Sequence, residues 1–117
     1  MNRSGRVLFK NELAGIVWQD ENGYGFEYDK NYLKSKTATP VSLTLPLRSE
    51  PYQEKTMIPF FDGLIPEGWL LNITLKNWKL DERDRMGLLL AACKYCIGAV
   101  SVEAIENGQF FVRKKLV

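Results

Sequence analysis

Two carboxylates, Asp62 and Glu67, interrupt the densest apolar run of the chain and are the side chains best suited to acid–base chemistry. Paired carboxylates can act as general acid and base, so a small carboxylate-based hydrolase is one alternative. Pro66 suits the first position of a helix, because its ring fixes φ and its missing N–H would be unbonded there. We therefore place both carboxylates at or near a helix N-terminus, where the helix dipole favours negative charge. On this interpretation they are helix caps rather than catalytic groups.

Cys93 and Cys96 form a C-x-x-C pair, which is compatible with a redox pair or with half of a zinc site. Zinc needs four ligands, and the sequence has no second cysteine pair and no histidine. A redox pair would sit at a helix N-terminus after a strand, whereas this pair ends an apolar helical run. We interpret both cysteines as reduced packing residues. Without histidine, the commonest general base is also missing, so we predict no catalytic residue, no metal and no cofactor.

The element that must position these carboxylates is a helix predicted from Pro66 to about Lys79. Its apolar residues fall into two opposite stripes, with Leu71, Leu75 and Trp78 on one side and Trp69 and Ile73 on the other. A surface helix of a small domain needs one such stripe. Either this helix is buried on all sides or one stripe is left exposed to bind a partner, and both alternatives stay open.

Length and composition fit one domain over residues 1–117. The hydrophobic share is 45% and the charged share is 26%, which is ordinary for a globular protein. Net charge is only +2, and the one basic cluster is Arg113-Lys114-Lys115. A nucleic-acid binder usually has a strongly basic face, so we favour a frayed, solvated tail over residues 113–117.

No segment approaches the roughly 20 apolar residues that span a bilayer, so we predict no membrane contact. Residues 1–6 lead straight into a strand-like segment without the apolar core of a signal peptide. The simplest expectation is a cytoplasmic protein.

The N-terminal part of the chain predicts a small sheet. Val7-Leu8-Phe9 and Leu13 to Trp18 are predicted strands joined by Lys10-Asn11, and Gly15 marks a bulge in the second. Asn22-Gly23 suits a type I′ hairpin turn into Tyr24-Gly25-Phe26-Glu27-Tyr28. The alternating aromatic residues of this third strand could stack on nucleic-acid bases, but no basic cluster flanks them. We favour an inward sheet face.

The rest of the chain adds helices and returning strands. Asp29 to Lys34 predicts a capped helical turn, Ser42 to Leu47 an edge strand, and Arg48 to Thr56 a surface loop. Asp81 is a predicted N-cap with Asp84 three residues on, before a helix whose apolar stripe is Met86, Leu89, Leu90 and Cys93. Ala99 to Ile105 and Gln109 to Val112 are predicted strands. The predicted fold class is α+β, a small antiparallel sheet or partly closed barrel with helices inserted between N-terminal and C-terminal strands.

Several segments, in this order, resemble the N-terminal subdomain of the HipA toxin kinases. They are Phe26-x-Tyr28-x-x-x-Tyr32-Leu33, Ser42-Leu43-Thr44-Leu45-Pro46-Leu47, Phe60-Phe61-Asp62-Gly63-Leu64-Ile65-Pro66-Glu67-Gly68 and Gly98-Ala99-Val100. The resemblance spans Val7 to about Ile105. The chain contains no glycine-rich phosphate loop, catalytic loop or metal-binding aspartate motif of a kinase.

A copy of this subdomain without kinase motifs is similar to the HipS antitoxins of three-component HipBST systems. The resemblance implies a bacterial antitoxin that binds and inhibits a HipA-like (HipT) serine/threonine kinase. It also implies a ternary complex with a helix-turn-helix protein of the HipB type, through which DNA contact is indirect. The alternatives are an excised or orphan HipA subdomain with a structural or interaction role, and a small nucleic-acid-binding domain.

The partner-binding surface is predicted around Trp69, in the first turn of the central helix. If Leu71, Leu75 and Trp78 face the sheet, Trp69 points outward as an interface anchor. The remaining predicted contact residues surround it in sequence, and they are Asp62, Pro66, Glu67, Gly68, Asn72 and Ile73. The opposite orientation, with Trp69 in the core and Trp78 exposed, stays open.

Overall fold

A five-stranded antiparallel sheet organises the protein in a computed structural model that describes residues 3–65, 83–92 and 99–105. The strands are β1 (Arg3–Phe9), β2 (Glu12–Asp20), β3 (Gly23–Tyr28), β4 (Tyr52–Glu54) and β5 (Val100–Ile105). The helices are α1 (Lys30–Lys34), α2 (Pro59–Asp62) and α3 (Arg85–Ala92). This arrangement confirms the predicted α+β class.

The strand order is β4-β3-β2-β1-β5, so strands from both parts of the chain meet in the sheet. The N-terminal β1 pairs with the C-terminal β5 from Ser4↔Ile105 to Phe9↔Val100. The strands before and after the inserted helices therefore belong to one sheet, as predicted. The described strands form an open sheet, with β4 and β5 at its edges, rather than a barrel.

The predicted bulge is present in β2. The register passes from Val7↔Gly15 to Leu8↔Leu13, which leaves Ala14 as the additional residue. A Cβ atom on Gly15 would lie 2.3 Å from the carbonyl oxygen of Glu27 and 2.9 Å from the Phe26 ring. Glycine is needed here because the neighbouring backbone approaches too closely for a side chain.

The type I′ turn was predicted at the wrong hairpin. Lys10 and Asn11, the two residues between β1 and β2, both have positive φ angles of 52° and 68°, as a type I′ turn requires. In the β2–β3 hairpin Asp20 pairs with Gly23, and of the residues from Asp20 to Gly23 only Gly23 has a positive φ angle, 135°. The Asp20 carboxylate accepts a hydrogen bond from the Asn22 N–H at 2.9 Å, which favours a different turn.

The segment 41–47 is a turn and not the predicted edge strand. Its alternation reflects two buried residues, Val41 and Leu45, on either side of the exposed Leu43. The edge strand is instead β4, which lies inside the predicted surface loop and pairs with β3 from Tyr24↔Glu54 to Phe26↔Tyr52. The Arg48 guanidinium lies 3.7 Å from the Tyr52 ring centroid, a cation–π contact at the first residue of β4.

The hydrophobic core lies between the inner face of the sheet and the helices. Its fully buried large side chains are Phe26, Phe61, Met86, Leu88, Leu89, Val7, Val17 and Val102. The predicted stripe of α3 is confirmed for Met86 and Leu89, which are buried, and for Leu90, which is partly buried against the core. Outside the described residues lie the predicted helix over 66–79, with Trp78, together with Asp81, Cys93, Cys96, the strand over 109–112 and the tail over 113–117.

Candidate functional site

The predicted partner-binding segment is described as far as Ile65. It begins with α2, which has Pro59 at its first position and buries Phe61 completely. Phe61 packs against Phe26 of the sheet, with ring centroids 5.3 Å apart. Of the seven predicted contact residues, only Asp62 belongs to the described part of the chain. The six others, Pro66, Glu67, Gly68, Trp69, Asn72 and Ile73, lie outside it.

Asp62, the last residue of α2, forms an ion pair with α3. Its Oδ1 atom accepts a hydrogen bond from Nε of Arg85 at 2.6 Å. Both side chains are partly exposed, at 32% for Arg85 and 43% for Asp62. The described role of Asp62 is therefore to join α2 to α3, a contact that the sequence did not indicate because Arg85 lies 23 residues further along.

A second polar cluster joins the sheet to the start of α3. Arg3 donates hydrogen bonds to both carboxylate oxygens of Asp84, at 2.9 and 2.7 Å, and also to the side-chain oxygen of Gln19. The hydrogen bond from Arg3 lowers the pKa of Asp84, and burial opposes it. The same bond raises the pKa of Arg3. The cluster therefore stabilises the charged forms of both residues.

Asp84 is also the N-cap of α3. Its Oδ1 atom accepts a hydrogen bond from the Gly87 N–H at 3.1 Å, and its carbonyl oxygen accepts one from the Leu88 N–H at 3.0 Å. The sequence pattern placed the cap at Asp81, and for the described helix this was wrong. Asp84 is favoured because the same carboxylate both caps the helix and binds Arg3.

Two of the three aromatic residues of β3, Phe26 and Tyr28, lie in the core, and the third, Tyr24, is partly buried against it. Phe26 is 0% exposed and Tyr28 is 2% exposed, and their rings meet edge to face at 4.8 Å. Burial raises the pKa of the Tyr28 hydroxyl, and the hydrogen bond from the Val41 N–H partly offsets this effect. These two enclosed rings cannot stack on nucleic-acid bases, which confirms the inward-facing interpretation for Phe26 and Tyr28.

The Tyr28 hydroxyl holds the turn that precedes the central segment. It accepts a hydrogen bond from the Val41 N–H at 3.0 Å and donates one to the Leu45 carbonyl. Between these two buried residues, Leu43 is 97% exposed. Leu43 was not among the predicted site residues, because its segment was predicted to be a strand. The sequence signal for its exposure is an apolar residue between Ser42 and Thr44, in a segment bounded by Pro40 and Pro46.

A shallow cavity of about 350 Å³ opens beside the end of the β2–β3 hairpin. It is lined by Trp18, Asp20, Asn22, Gly23, Tyr24, Gln53, Glu54 and Lys55. Its lining mixes both signs of charge and contains no cysteine, serine or histidine.

Within the described ranges, no group of three or more acidic, cysteine or histidine side chains could hold a metal ion. None of the helices in these ranges is long and apolar enough to cross a membrane.

Comparison with known proteins identifies the class. A family model described as the HipA N-terminal domain matches residues 5–103. The chain therefore belongs to the HipA N-terminal domain family. A solved structure described as the N-terminal domain of HipA toxin superposes with a TM-score of 0.69 and 30% sequence identity, covering 90% of this chain and 94% of that one. The matched domain is not the catalytic part of HipA kinases, and the predicted resemblance to the HipA N-terminal subdomain is confirmed.

Two relatives show how this domain occurs in other proteins. An uncharacterized protein of Haemophilus influenzae is 33% identical over 101 residues, which covers 86% of this chain and 92% of that protein. The putative kinase Y4mE of Sinorhizobium fredii is 37% identical over 62 residues, which covers 52% of this chain but 15% of that protein. Similar sequence is thus present in a protein of about this size and in a much longer one.

Proposed function

We propose that this chain is an antitoxin that neutralises a HipA-like serine/threonine kinase by direct protein binding. The observation that carries the proposal is the pair of relatives. In the Haemophilus influenzae protein, this domain makes up nearly the whole chain. In the putative kinase, the similar segment is a small part of a longer chain. A domain of this kind that is supplied as a separate protein can bind a kinase that lacks its own copy.

The proposed partner is a shorter kinase of the HipT type. A helix-turn-helix protein of the HipB type completes a ternary complex and carries the contact with operator DNA. The whole assembly works in the cytoplasm. The burial of Phe26 and Tyr28 supports an indirect DNA contact, because these two rings are not available for stacking.

Inhibition in this proposal is stoichiometric and needs no catalytic group in the antitoxin. Trp69 is the proposed anchor, flanked by Pro66, Glu67, Gly68, Asn72 and Ile73. Asp62 contributes from the preceding segment, where its carboxylate is already bound by Arg85. The ion pair holds the end of α2, and so the start of the segment that leads to Trp69, against α3.

Co-expression tests this function in cells. The kinase gene expected beside the gene of this chain is induced alone and then together with the chain, and growth is followed. We expect arrest with the kinase alone and growth with both. A kinase variant without its catalytic aspartate is the control for expression burden. Continued arrest, with the chain present in soluble form at an excess over the kinase, would contradict the proposal.

A further inference from the structure

Leu43 is the one large apolar side chain that is strongly exposed within the described ranges, at 97%. It occupies a central position of a tight turn, in which the Leu45 N–H donates to the Ser42 carbonyl at 3.0 Å. Central turn positions usually hold proline, glycine or short polar residues, each for a conformational reason that leucine does not share. Local structure therefore gives no reason for a leucine here.

The turn is held rigidly, so the exposure of Leu43 does not result from a loose loop. On its two sides Val41 and Leu45 are buried, at 6% and 3% exposure. The Tyr28 hydroxyl binds the backbone of both residues. At the apex, the Ser42 hydroxyl accepts a hydrogen bond from the Thr44 N–H at 3.2 Å. A surface fixed in this way loses little conformational entropy when it binds a partner.

The loop that contains Leu43 carries no charge. The segment from Thr37 to Leu47, here called the neutral loop, contains no acidic or basic residue, although 26% of the chain is charged. Lys36 and Arg48 bound it at its two ends. Besides Leu43, the exposed residues of the neutral loop are small or hydroxyl-bearing, namely Thr37, Thr39, Thr44 and Pro46. Depletion of charged residues is typical of the centre of a protein–protein interface.

We propose that Leu43 is a second anchor, which inserts from the neutral loop into an apolar pocket of the HipA-like kinase. This inference rests on the proposed function and adds a contact surface in a different part of the chain from Trp69. The lack of basic residues in the loop argues against a nucleic acid or an anionic membrane as its partner, since both are bound largely through lysine and arginine. A folded protein with an apolar pocket fits both the exposed leucine and the uncharged loop around it in the chain.

Leu43→Ser and Leu43→Met separate an anchor from an incidental surface residue. Both changes are at an exposed position, so the melting temperature of each variant is expected to match that of the unchanged chain. Binding to a catalytically inactive HipT-type kinase is measured by titration calorimetry. We expect Leu43→Ser to weaken binding about tenfold or more, and Leu43→Met to stay within about threefold, because methionine keeps the apolar volume. Lys36→Ser, at the exposed residue that precedes the neutral loop, is the matched control and is expected to bind as the unchanged chain does.

The outcomes distinguish this inference from the function on which it rests. If the unchanged chain binds the kinase and Leu43→Ser binds equally well, Leu43 is not an anchor and the proposed function stands. If the unchanged chain does not bind, the proposed function fails and the anchor fails with it. If the chain instead forms a dimer in sedimentation that Leu43→Ser abolishes, the neutral loop joins two copies of this chain and the assignment to the kinase is wrong.

Discussion

Arg3 and Asp84 form a bidentate ion pair between the first strand and the third helix, with hydrogen bonds of 2.9 and 2.7 Å. The two residues are 81 positions apart in the chain. Because Asp84 also caps α3, one carboxylate fixes where the helix begins and how it is held against the sheet.

Asp84→Ala is expected to lower the free energy of unfolding by about 1–3 kcal/mol, because it removes the helix cap and leaves Arg3 without its main partner. Asp84→Asn should cost less, since asparagine can still cap the helix. Urea unfolding measures both. Glu103→Gln is the control, because the Arg6–Glu103 pair is longer, at 3.7 Å, and half exposed. Equal losses for Glu103→Gln and Asp84→Ala would contradict the structural role of the cluster.

The same pair predicts how stability depends on acid. The pKa of Asp84 is lowered in the folded protein, so its contribution is present above the unfolded pKa of about 4 and is lost as pH falls below it. Asp84→Asn removes this titration. Chemical unfolding between pH 7 and pH 3 should therefore show a shallower acid loss for Asp84→Asn than for the unchanged chain. Parallel pH profiles would show that Asp84 does not contribute.

Gly15 and Gly25 are two sheet positions at which neighbouring atoms lie too close for a side chain, so their alanine variants can be compared directly. A Cβ atom on Gly15 meets a backbone carbonyl, that of Glu27, at 2.3 Å, whereas one on Gly25 meets the ring of Trp18 at 2.2 Å. Trp18 is only partly buried, so its side chain can move, but the backbone cannot. We expect Gly15→Ala to cost about 1–3 kcal/mol or more and Gly25→Ala to cost less. Thermal unfolding that ranks the two variants in the reverse order would contradict this.

Variants of Asp62 and Arg85 test whether Asp62 stabilises the chain itself or contacts the kinase directly. The pair is partly exposed, so Asp62→Asn and Arg85→Met should each change stability by only about 1 kcal/mol or less. If the carboxylate acts by holding α2 against α3, both variants should weaken kinase binding to a similar degree. A loss confined to Asp62→Asn would mean that Asp62 contacts the kinase directly. Calorimetric titration with the kinase measures both.

Trp69→Ala tests the anchor predicted from the sequence. As an anchor, Trp69 should tolerate the change with a melting temperature within a few degrees, while kinase binding weakens by about 2 kcal/mol or more. As a core residue, it should cost about 3–5 kcal/mol of stability, and lost inhibition would follow from unfolding. Trp78→Ala is the matched control and should show the opposite pattern. A stable Trp69→Ala chain that still inhibits the kinase fully would refute the anchor.

The basic tail should make no difference to DNA binding. Removal of Arg113, Lys114 and Lys115 from the ternary complex is expected to leave operator affinity nearly unchanged. A loss of about tenfold, equivalent to about 1.4 kcal/mol, would show that the tail contacts phosphate. Gel-shift titrations at two salt concentrations measure this, because a phosphate contact also steepens the salt dependence.

Local sequence signals predicted most of the sheet correctly. Alternation in β3, the glycine at the β2 bulge and the Asp29 cap, whose carboxylate binds the Asn31 and Tyr32 N–H groups, are short-range features. The α+β class and the pairing of early and late strands followed from them. β1 and β2 are longer than predicted. Arg3 and Gln19 are polar and were left out of the predicted strands, yet they pair with each other and their side chains form a hydrogen bond.

The errors arose where distant contacts override local pattern. The alternation of residues 42–47 is that of a strand, but the Tyr28 hydroxyl from β3 folds this segment into a turn. β4 lies in a polar segment and is held as a strand by its pairing with β3 and by Tyr52, which packs near Phe26. Arg3 and Arg85 could not be assigned as partners of Asp84 and Asp62, because no sequence spacing links residues so far apart.

The most direct test of the central claim is a titration of the purified chain into the active HipT-type kinase, with ATP-dependent phosphorylation as the readout. The proposal predicts that kinase activity falls in proportion to the added chain and is lost when the two proteins are present in stoichiometric amounts. The chain alone should consume no ATP. Full kinase activity in the presence of a large excess of folded chain would contradict the proposal that this protein neutralises a HipA-like kinase by binding it.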